Sequence, residues 1–138
     1  MNHDSHSTTQ APSLWLALHL PCLSLEANAP LPSPSAVVDH GRILLGDEAA
    51  QQAGIEPGTG ISAARMLAPA IALIARNPAR EEAALHALAC WAGCLTPRIN
   101  LMPNALLLEV GSCLRLFGGV KRIAATAIEG VQAQGFSV

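Results

Sequence analysis

The order of its apolar segments most constrains the fold of this sequence. A short apolar run, Leu14–Leu20, is followed after a long interval by two helical patterns that flank two strand patterns, between residues 77 and 134. Apolar residues at three- and four-residue spacing predict the helices, and short apolar runs bounded by turn residues predict the strands. A last strand begins at Phe136. The order predicts an α+β fold with a ferredoxin-like β-α-β-β-α-β arrangement, interrupted after its first strand.

Turn and capping residues set the bounds of these segments. Asn77-Pro78 starts the first helix, because proline is tolerated in a first helical turn, and Gly118-Gly119 opens the second. Strands are predicted over Pro97–Leu101 and Ala105–Val110, and Cys113–Phe117 either extends the second strand or forms a third. The second helix has an apolar stripe consisting of Val120, Ile123, Ala124, Ala127, Ile128 and Val131.

The interval between residues 21 and 76 predicts a small mixed lobe. A proline-rich loop, Asn28–Ala36, leads to two short strands joined by a turn at Asp39-His40-Gly41. A compact helix follows, with Asp47 as its N-cap and Gly54 as its C-terminal stop. A second short helix, ISAARMLAP, and a buried strand, AIALIA, complete the lobe.

Residues 1–13 are predicted to be a disordered polar leader. The apolar run behind them, up to Ala29, also fits a secretory signal peptide that ends in an ANA cleavage site. A signal peptide begins with basic residues, whereas this leader has an Asp and no Lys or Arg, and His19 and Pro21 interrupt the run. A buried strand is therefore the preferred interpretation. No run approaches the roughly 18 apolar residues of a membrane span, so the sequence predicts a cytoplasmic protein without a membrane anchor.

Composition and charge narrow the class of function. Hydrophobic residues make up 51% of the chain and charged residues 13%, which argues against a disordered protein. The net charge of −2 predicts weak or no DNA binding, because neutralisation of phosphates drives nucleic-acid affinity. The four cysteines form no CxxC pair and are predicted to be small buried residues in a reducing compartment.

A few side chains allow a functional and a structural interpretation. His86, Cys90 and Cys94 recur every four residues and fit a soft-metal site, but packing is preferred because a fourth ligand is missing. His19 is either a catalytic base or a hydrogen-bonded residue of the first strand, and the second interpretation is preferred. Three cations fit a DNA backbone contact or a solvated helix face equally well: Arg115, Lys121 and Arg122.

Four stretches, in chain order, resemble the Y-family DNA polymerases: WLALHLPCLSLE, ILLGDEAAQQAGIEPGTGISAARMLAP, RNPAREEAALHALACWAGCLTPRINL and LLLEVGSCLRLFGG. They cover about residues 14–136, and the LRLFGG ending is similar to the ImuB-like members of that family. The resemblance implies a polymerase palm over residues 14–20 and 77–138, and a fingers lobe over residues 21–76. The rest of the palm, the thumb and the little finger are then missing.

The resemblance also assigns the positions of a polymerase active site. In active members, carboxylates on two palm strands hold two magnesium ions, which activate the primer hydroxyl and neutralise the leaving pyrophosphate. Aligned with this pattern, Ala17 and His19 stand at the carboxylate positions of the first strand. Asn104 and Ala105 stand at those of the second. The resemblance therefore implies that the metal ligands have been replaced.

Two further substitutions agree with this interpretation. Residues 14–25 and 97–108 contain no Asp or Glu, so a small change of alignment does not restore a ligand. In the fingers, Glu48 and Gln51 stand where active members carry the Tyr and Arg that hold the triphosphate, and Glu48 repels phosphate. Together these positions imply a palm-shaped protein without nucleotidyl transfer, bound metal or cofactor.

The ImuB-like resemblance implies a non-catalytic subunit that serves translesion synthesis and SOS mutagenesis as a scaffold for mutasome assembly. Its expected partners are a sliding clamp, a RecA-like ImuA-type protein and an error-prone polymerase, contacted mainly through regions C-terminal to this chain. An exposed palm edge near Val138 is also expected, and with it self-association.

Two other interpretations stay open. An active Y-family polymerase fragment would have to recruit carboxylates from unusual positions, such as Asp47, Glu48 or Glu109. A small α/β protein-interaction module would instead be a completed domain with no unpaired sheet edge.

Overall fold

The computed structural model describes residues 13–138. The predicted disordered leader lies outside the described residues, except for Ser13. In chain order the elements are β1 (Trp15–His19), α1 (Leu23–Glu26), β2 (Ser35–Asp39), β3 (Arg42–Gly46), α2 (Glu48–Gln52), α3 (Ile61–Leu67), β4 (Ala72–Ala75), α4 (Pro78–Ala92), β5 (Ile99–Met102), β6 (Ala105–Glu109), α5 (Leu114–Phe117) and α6 (Val120–Ala133).

The first sheet has the strand order β1-β6-β5, with antiparallel pairing throughout. Leu18 is paired with Leu106, and both side chains are buried on the face that α4 and α6 cover. Leu88 of α4 and Ala127 of α6 reach 0% exposure in the same core. Burying one such leucine contributes about 1.5–3 kcal/mol. The buried core around this sheet consists of Leu18, Leu20, Leu23, Leu85, Leu88, Ala92, Leu95, Leu106, Leu108, Val110, Cys113, Ile123, Ala127 and Val131.

The second sheet has the order β3-β2-β4, with β2 antiparallel to β3 and parallel to β4. The predicted hairpin turn between β2 and β3 is confirmed. His40 and Gly41 have φ values of 50° and 74°, the left-handed conformation that a two-residue hairpin loop of type I′ requires at both central positions. A separate buried cluster packs on this sheet and consists of Ala36, Ile43, Ala50, Ile55, Ala64 and Ala68.

The predicted cap of α2 and the predicted start of α4 at Asn77-Pro78 are confirmed, and α4 also has a side-chain cap. The Asp47 side chain accepts a hydrogen bond from the Ala50 N–H at 2.9 Å and starts α2. The Asn77 side chain accepts from the Arg80 N–H at 3.1 Å and starts α4, with Pro78 in the first turn. Both side chains satisfy backbone donors that have no partner inside the helix.

Two strand predictions are wrong. Cys113–Phe117 is not a strand: residues 114–117 form α5, because the chain turns after β6 and Gly118 ends the short helix in a left-handed conformation with a φ of 80°. Residues 136–138 have no strand structure, and the Ser137 N–H and hydroxyl instead donate to the Glu26 carboxylate. The order and pairing of β1, β5 and β6 fit the ferredoxin-like arrangement, but the complete topology is not confirmed.

The cysteines differ in exposure, against the expectation that all four are buried. Cys113 is buried and Cys22 is half-buried, whereas Cys90 and Cys94 are exposed, and all four are free thiols. Cys90 points away from the α4 face that carries Leu88, so the helix period leaves it in solvent. None of the helices in residues 13–138 has the length and apolar content needed to cross a membrane.

Candidate functional site

The end of β1 meets the turn between β5 and β6, which brings the predicted palm positions together. His19 is paired with Ala105, and the Leu20 N–H donates to the Asn104 carbonyl oxygen at 2.8 Å. Asn104 Nδ2 lies 3.2 Å from His19 Nε2. Ala17 lies two residues before His19 on β1 and is paired with Leu107. We call His19, Ala17, Asn104 and Ala105 the palm corner.

The palm corner belongs to the face of the first sheet that faces away from α4 and α6. Residues alternate along β1, so that Trp15, Ala17 and His19 are exposed while Leu18 is buried beneath the helices. On β6, Ala105 and Leu107 share the open face by the same alternation. Apart from Glu109 at the far end of β6, the strand positions on this face, which include Asn100 and Met102 of β5, carry no carboxylate.

The donor groups of the palm corner do not fit magnesium. Magnesium prefers oxygen ligands and is usually held in proteins through carboxylates. The corner offers one amide group, on Asn104, next to the imidazole of His19, while Ala17 and Ala105 contribute methyl groups. Within residues 13–138 no three His, Cys, Asp or Glu side chains come together as a potential metal site. His86, Cys90 and Cys94 are no exception, since Cys94 lies beyond the end of α4.

Glu109 is a carboxylate on β6, but it stands at the opposite end of the strand from Asn104. It is paired with Trp15, and five residues of strand separate it from Asn104 by about 17 Å. Its side chain accepts hydrogen bonds from the backbone N–H groups of Gly111 (2.8 Å) and Leu14 (3.4 Å) and from the Ser112 hydroxyl (3.3 Å). Its carboxylate oxygens are therefore engaged in holding the turn after β6.

The environment of Glu109 also sets its protonation. Burial acts to raise the pKa of this carboxyl, since Glu109 is only 4% exposed. The hydrogen bonds from Gly111, Leu14 and Ser112 and the charge of Arg98 outweigh burial and hold the pKa below the ordinary value of 4.5. Glu109 is therefore ionised at neutral pH as a structural acceptor.

The predicted fingers positions lie on α2, in the second lobe. Glu48 and Gln51 are both exposed, and Gln51 Nε2 donates to the Gly46 carbonyl oxygen at 2.9 Å. The neighbouring Asp47 carboxylate caps the helix and accepts from the hydroxyls of Ser33 (2.9 Å) and Ser35 (3.4 Å). The carboxylate of Asp47 is thus occupied within its own lobe.

A cleft of about 350 Å³ lies between the two lobes, next to the palm corner. Sequence reasoning missed its charged residues. Arg76 Nε donates to Glu81 Oε2 at 2.9 Å, and Arg76 also lies 3.6 Å from the Asp39 carboxylate. Both carboxylates neutralise Arg76, the one cation among the described residues that line the cleft. The cleft is lined by Leu20, Pro21, Leu23, Ser24, Leu44, Leu45, Arg76, Glu81, Pro103 and Asn104.

The cations that fit a DNA contact lie elsewhere. Arg115, Lys121 and Arg122 are exposed where α5 meets α6, and α6 packs on the face of the first sheet opposite to the palm corner. The open face and the cleft therefore offer no cluster of free cations in the part of the chain that the structure describes.

The fold is similar to solved DNA polymerase structures. An insertion ternary complex of Dbh DNA polymerase matches 89% of this chain with a TM-score of 0.71 at 14% identity, and a post-insertion binary complex of the same polymerase matches 88% with a TM-score of 0.72 at 15% identity. A Y-family DNA polymerase chimera containing Dbh segments matches 89% with a TM-score of 0.69 at 12% identity. DinB from Sulfolobus solfataricus matches 75% with a TM-score of 0.57 at 14% identity.

These matches concern part of longer proteins. The chain spans 40% of the Dbh insertion complex, 39% of the post-insertion complex, 40% of the chimera and 32% of DinB. No protein-family model matches the chain, and no curated protein matches it. At sequence identities of 12–15%, the similarity to these structures supports the fold and no more. Residues 13–138 therefore have an α+β fold, with two three-stranded sheets, that resembles the N-terminal region of Y-family DNA polymerases.

Proposed function

We propose that this chain is the palm and fingers part of a catalytically inactive, ImuB-like Y-family protein that acts in translesion synthesis. In this proposal residues 14–20 and 77–138 form the palm and residues 21–76 the fingers. The protein serves as a scaffold on which other proteins of a mutasome assemble. The similarity of the fold to Dbh and DinB supports a polymerase-related origin.

The observation that carries the proposal is the chemistry of the palm corner. His19 and Asn104 are in contact at 3.2 Å where β1 meets the turn before β6, and these are positions where the resemblance implies metal-binding carboxylates in active members. An imidazole, an amide and two methyl groups supply no negative charge to hold two divalent cations. Without those cations the primer hydroxyl is not activated and the charge of the pyrophosphate is not neutralised.

The rival proposal, an active polymerase with recruited carboxylates, finds little support among the described residues. Glu109 is held by three hydrogen bonds at the other end of β6, and Asp47 is engaged with Ala50, Ser33 and Ser35. The Glu48 side chain accepts one hydrogen bond, at 3.4 Å, from Gln52 of the same helix.

Primer extension tests the proposal directly. The full-length protein is incubated with a primed template, the four deoxynucleotides and Mg²⁺ or Mn²⁺. We expect no incorporation above the level of a protein-free control. Incorporation by the wild type above that level would contradict the proposal, and its loss in Glu109→Ala, Asp47→Ala or Glu48→Ala would identify the recruited carboxylate of the rival.

The scaffold role requires partners, and we propose a sliding clamp, a RecA-like ImuA-type protein and an error-prone polymerase. The contacts are proposed to lie mainly outside the 138 residues of this chain. Co-purification of the full-length protein with each purified partner tests this role. Retention of all three partners by a full-length protein from which residues 13–138 are deleted is the expected result, and loss of all three would place the contacts in this chain.

A further inference from the structure

A second cavity lies beside the cleft between the two lobes, on the other side of the Arg76–Glu81 ion pair. Its volume is about 360 Å³, against about 350 Å³ for the cleft. Arg76, Glu81 and Pro103 line both cavities, so these three residues form the wall between them. We call the two cavities together the divided groove. The second cavity is otherwise bounded by α4 and β5, through Pro78, Glu82, Leu85, His86, Leu101 and Met102.

The divided groove contains apolar side chains that the described part of the chain leaves uncovered. Leu101 of β5 is paired with Leu106 of β6, so both side chains lie on the sheet face that α4 and α6 cover. Leu106 is 0% exposed, whereas Leu101 is 38% exposed in the second cavity. Leu44 of β3 is also 38% exposed, in the cleft. Apolar groups on both sides of the dividing ion pair therefore face the groove.

The unpaired charge that the divided groove presents is negative. Arg76 is the one lysine or arginine among the described residues that line it, and its guanidinium is engaged by Glu81 at 2.9 Å and approached by Asp39 at 3.6 Å. Glu82 lines the second cavity, and its side chain is 75% exposed. Among the described residues its ion-pair contact is to His86, at 3.6 Å. The Glu82 carboxylate is therefore in a position to meet a cation from outside.

We propose that the divided groove binds an extended segment of another protein that carries apolar side chains next to a lysine or arginine. A compact ligand would fill one cavity, whereas an extended segment spans both and presents alternate side chains on one face. Its apolar side chains pack on Leu44 on one side of the dividing ion pair and on Leu101 on the other. Its cation pairs with Glu82.

The charges favour this occupant over two others. The phosphates of a nucleic acid would meet Glu82 and find no unpaired lysine or arginine among the described residues of the groove. A second copy of the chain has a net charge of −2, so it does not complement a groove whose unpaired charge is negative. The proposal goes beyond the scaffold role, whose partner contacts are proposed to lie mainly outside this chain, and does not rest on it.

Selection from a phage library of random linear peptides on the immobilised 138-residue chain tests the proposal. We expect the enriched sequences to combine apolar residues with lysine or arginine. Fluorescence anisotropy then measures the affinity of one enriched peptide, synthesised with a dye. Leu101→Asp places a charge in an apolar cavity and should weaken binding about tenfold or more. Glu82→Lys reverses the charge that meets the peptide and should weaken binding about threefold or more.

Matched control variants make the same changes outside the divided groove. Leu116→Asp on α5 and Glu129→Lys on α6, both at exposed positions, should leave the affinity unchanged. Circular dichroism establishes that each variant is folded, and the Glu82→Lys variant keeps the test independent if Leu101→Asp unfolds. No enrichment above that on an unrelated protein, enrichment of acidic peptides, or binding that survives both groove substitutions would overturn the proposal.

The same measurements identify the other occupants, and each of these results would also overturn the proposal. Displacement of the peptide by a DNA oligonucleotide would assign the groove to nucleic acid. Self-association that Leu101→Asp abolishes would assign it to a second copy. Peptide binding that appears only after residues 1–12 are removed would assign it to that segment of the same chain.

Discussion

The backbone N–H of Gly111 donates to the Glu109 carboxylate at 2.8 Å, two residues away in the chain. The same carboxylate accepts from the N–H of Leu14, the residue before β1, so one side chain joins the turn after β6 to the start of the first strand. This contact accounts for the change of direction after Val110. The chain turns into α5 there, and a strand over Cys113–Phe117 is not formed.

Glu109→Gln should change the dependence of stability on pH. The folded-state pKa of Glu109 lies below its ordinary value, so the unfolded state binds its proton first as the pH falls. The stability from the ionised carboxylate is therefore fully present above about pH 5 and is lost as the pH falls through the folded pKa. We expect the wild type to be more stable than the Gln variant at pH 7, with the difference shrinking below pH 4.5. Urea unfolding at several pH values measures it.

A matched variant separates this effect from general loss of charge. Glu82 is exposed on α4, and Glu82→Gln should leave the slope of stability against pH near that of the wild type. A difference between wild type and Glu109→Gln that stays constant from pH 7 to pH 3 would contradict the role given to the ionised carboxylate.

Much of the fold could be predicted because its determinants are local. Asp47 and Asn77 carry their capping groups in their own side chains, and His40-Gly41 is a pair of residues that tolerates the hairpin conformation. The state of Cys113–Phe117 could not be predicted in this way. Its apolar residues fit a strand. The helix that forms instead depends on Gly118 and on a turn that the Glu109 side chain holds through tertiary contacts.

Less of the candidate site than of the fold could be predicted from the sequence. Adjacency of His19 and Asn104 depends on the pairing of β1 with β6, which periodicity alone does not specify. The contact of Arg76 with Glu81 has only a weak local signal, an arginine just before a helix N-cap and an acid in the first turn. Alternation along β1 shows which residues share a face, but only the sheet order shows that β6 is the strand beside it.

Gly130 should resist replacement by alanine. A Cβ atom built on Gly130 would lie 1.8 Å from Cζ2 of Trp91, so α4 and α6 pack here with the indole against bare backbone. Alanine ordinarily stabilises a helix interior by about 1 kcal/mol relative to glycine. At this position the clash should reverse the sign, and Gly130→Ala should destabilise the protein by about 1–3 kcal/mol. Thermal and urea unfolding measure the change.

The partner substitution identifies the cause. Trp91→Leu makes room above Gly130, so the additional effect of Gly130→Ala should be much smaller in that background. Gln132→Ala, on the exposed face of the same helix, is the control for propensity alone and should change stability by under about 0.5 kcal/mol. Equal effects of Gly130→Ala with and without Trp91 would rule out the steric explanation.

Cys22 should react slowly with thiol reagents. Burial raises the pKa of its thiol, and the Glu26 carboxylate raises it further, against a hydrogen bond with Ser137. Since the thiolate is the reactive form, a raised pKa lowers the rate at pH 8. In a variant with Cys90→Ser and Cys94→Ser, Glu26→Gln should speed the reaction of Cys22 by about twofold to fivefold. A chromogenic disulfide reagent measures the rate, and an unchanged rate would remove Glu26 as a cause.

Arg76 should stabilise the junction between the lobes. Its guanidinium is paired with Glu81, whose side chain is 9% exposed, and it also approaches Asp39 at the end of β2. Arg76→Met keeps the aliphatic stem but leaves the Glu81 carboxylate without its charged partner, at a cost of about 1–3 kcal/mol. Arg80→Met is the control, because its contact to Asn28 is long at 3.5 Å. Urea unfolding should show a clearly larger loss for Arg76→Met than for Arg80→Met, and equal losses would contradict the ion-pair argument.

The strongest test of the palm corner is to give it carboxylates. Because His19 and Ala105 are paired and Ala17 lies on the same face, Ala17→Asp combined with Asn104→Asp and Ala105→Glu places three carboxylates on neighbouring positions of the palm corner. Crowded negative charges destabilise the triple variant, and a divalent cation relieves that repulsion. We therefore expect millimolar Mn²⁺ to raise the melting temperature of the triple variant and to leave the wild type unchanged. A variant with Ala63→Asp, Ala87→Asp and Gln132→Glu, at one exposed position each of α3, α4 and α6, adds the same charge at scattered places and should gain nothing from Mn²⁺. If the wild type binds Mn²⁺ as tightly as the triple variant, the palm corner is not what separates this chain from a metal-dependent polymerase.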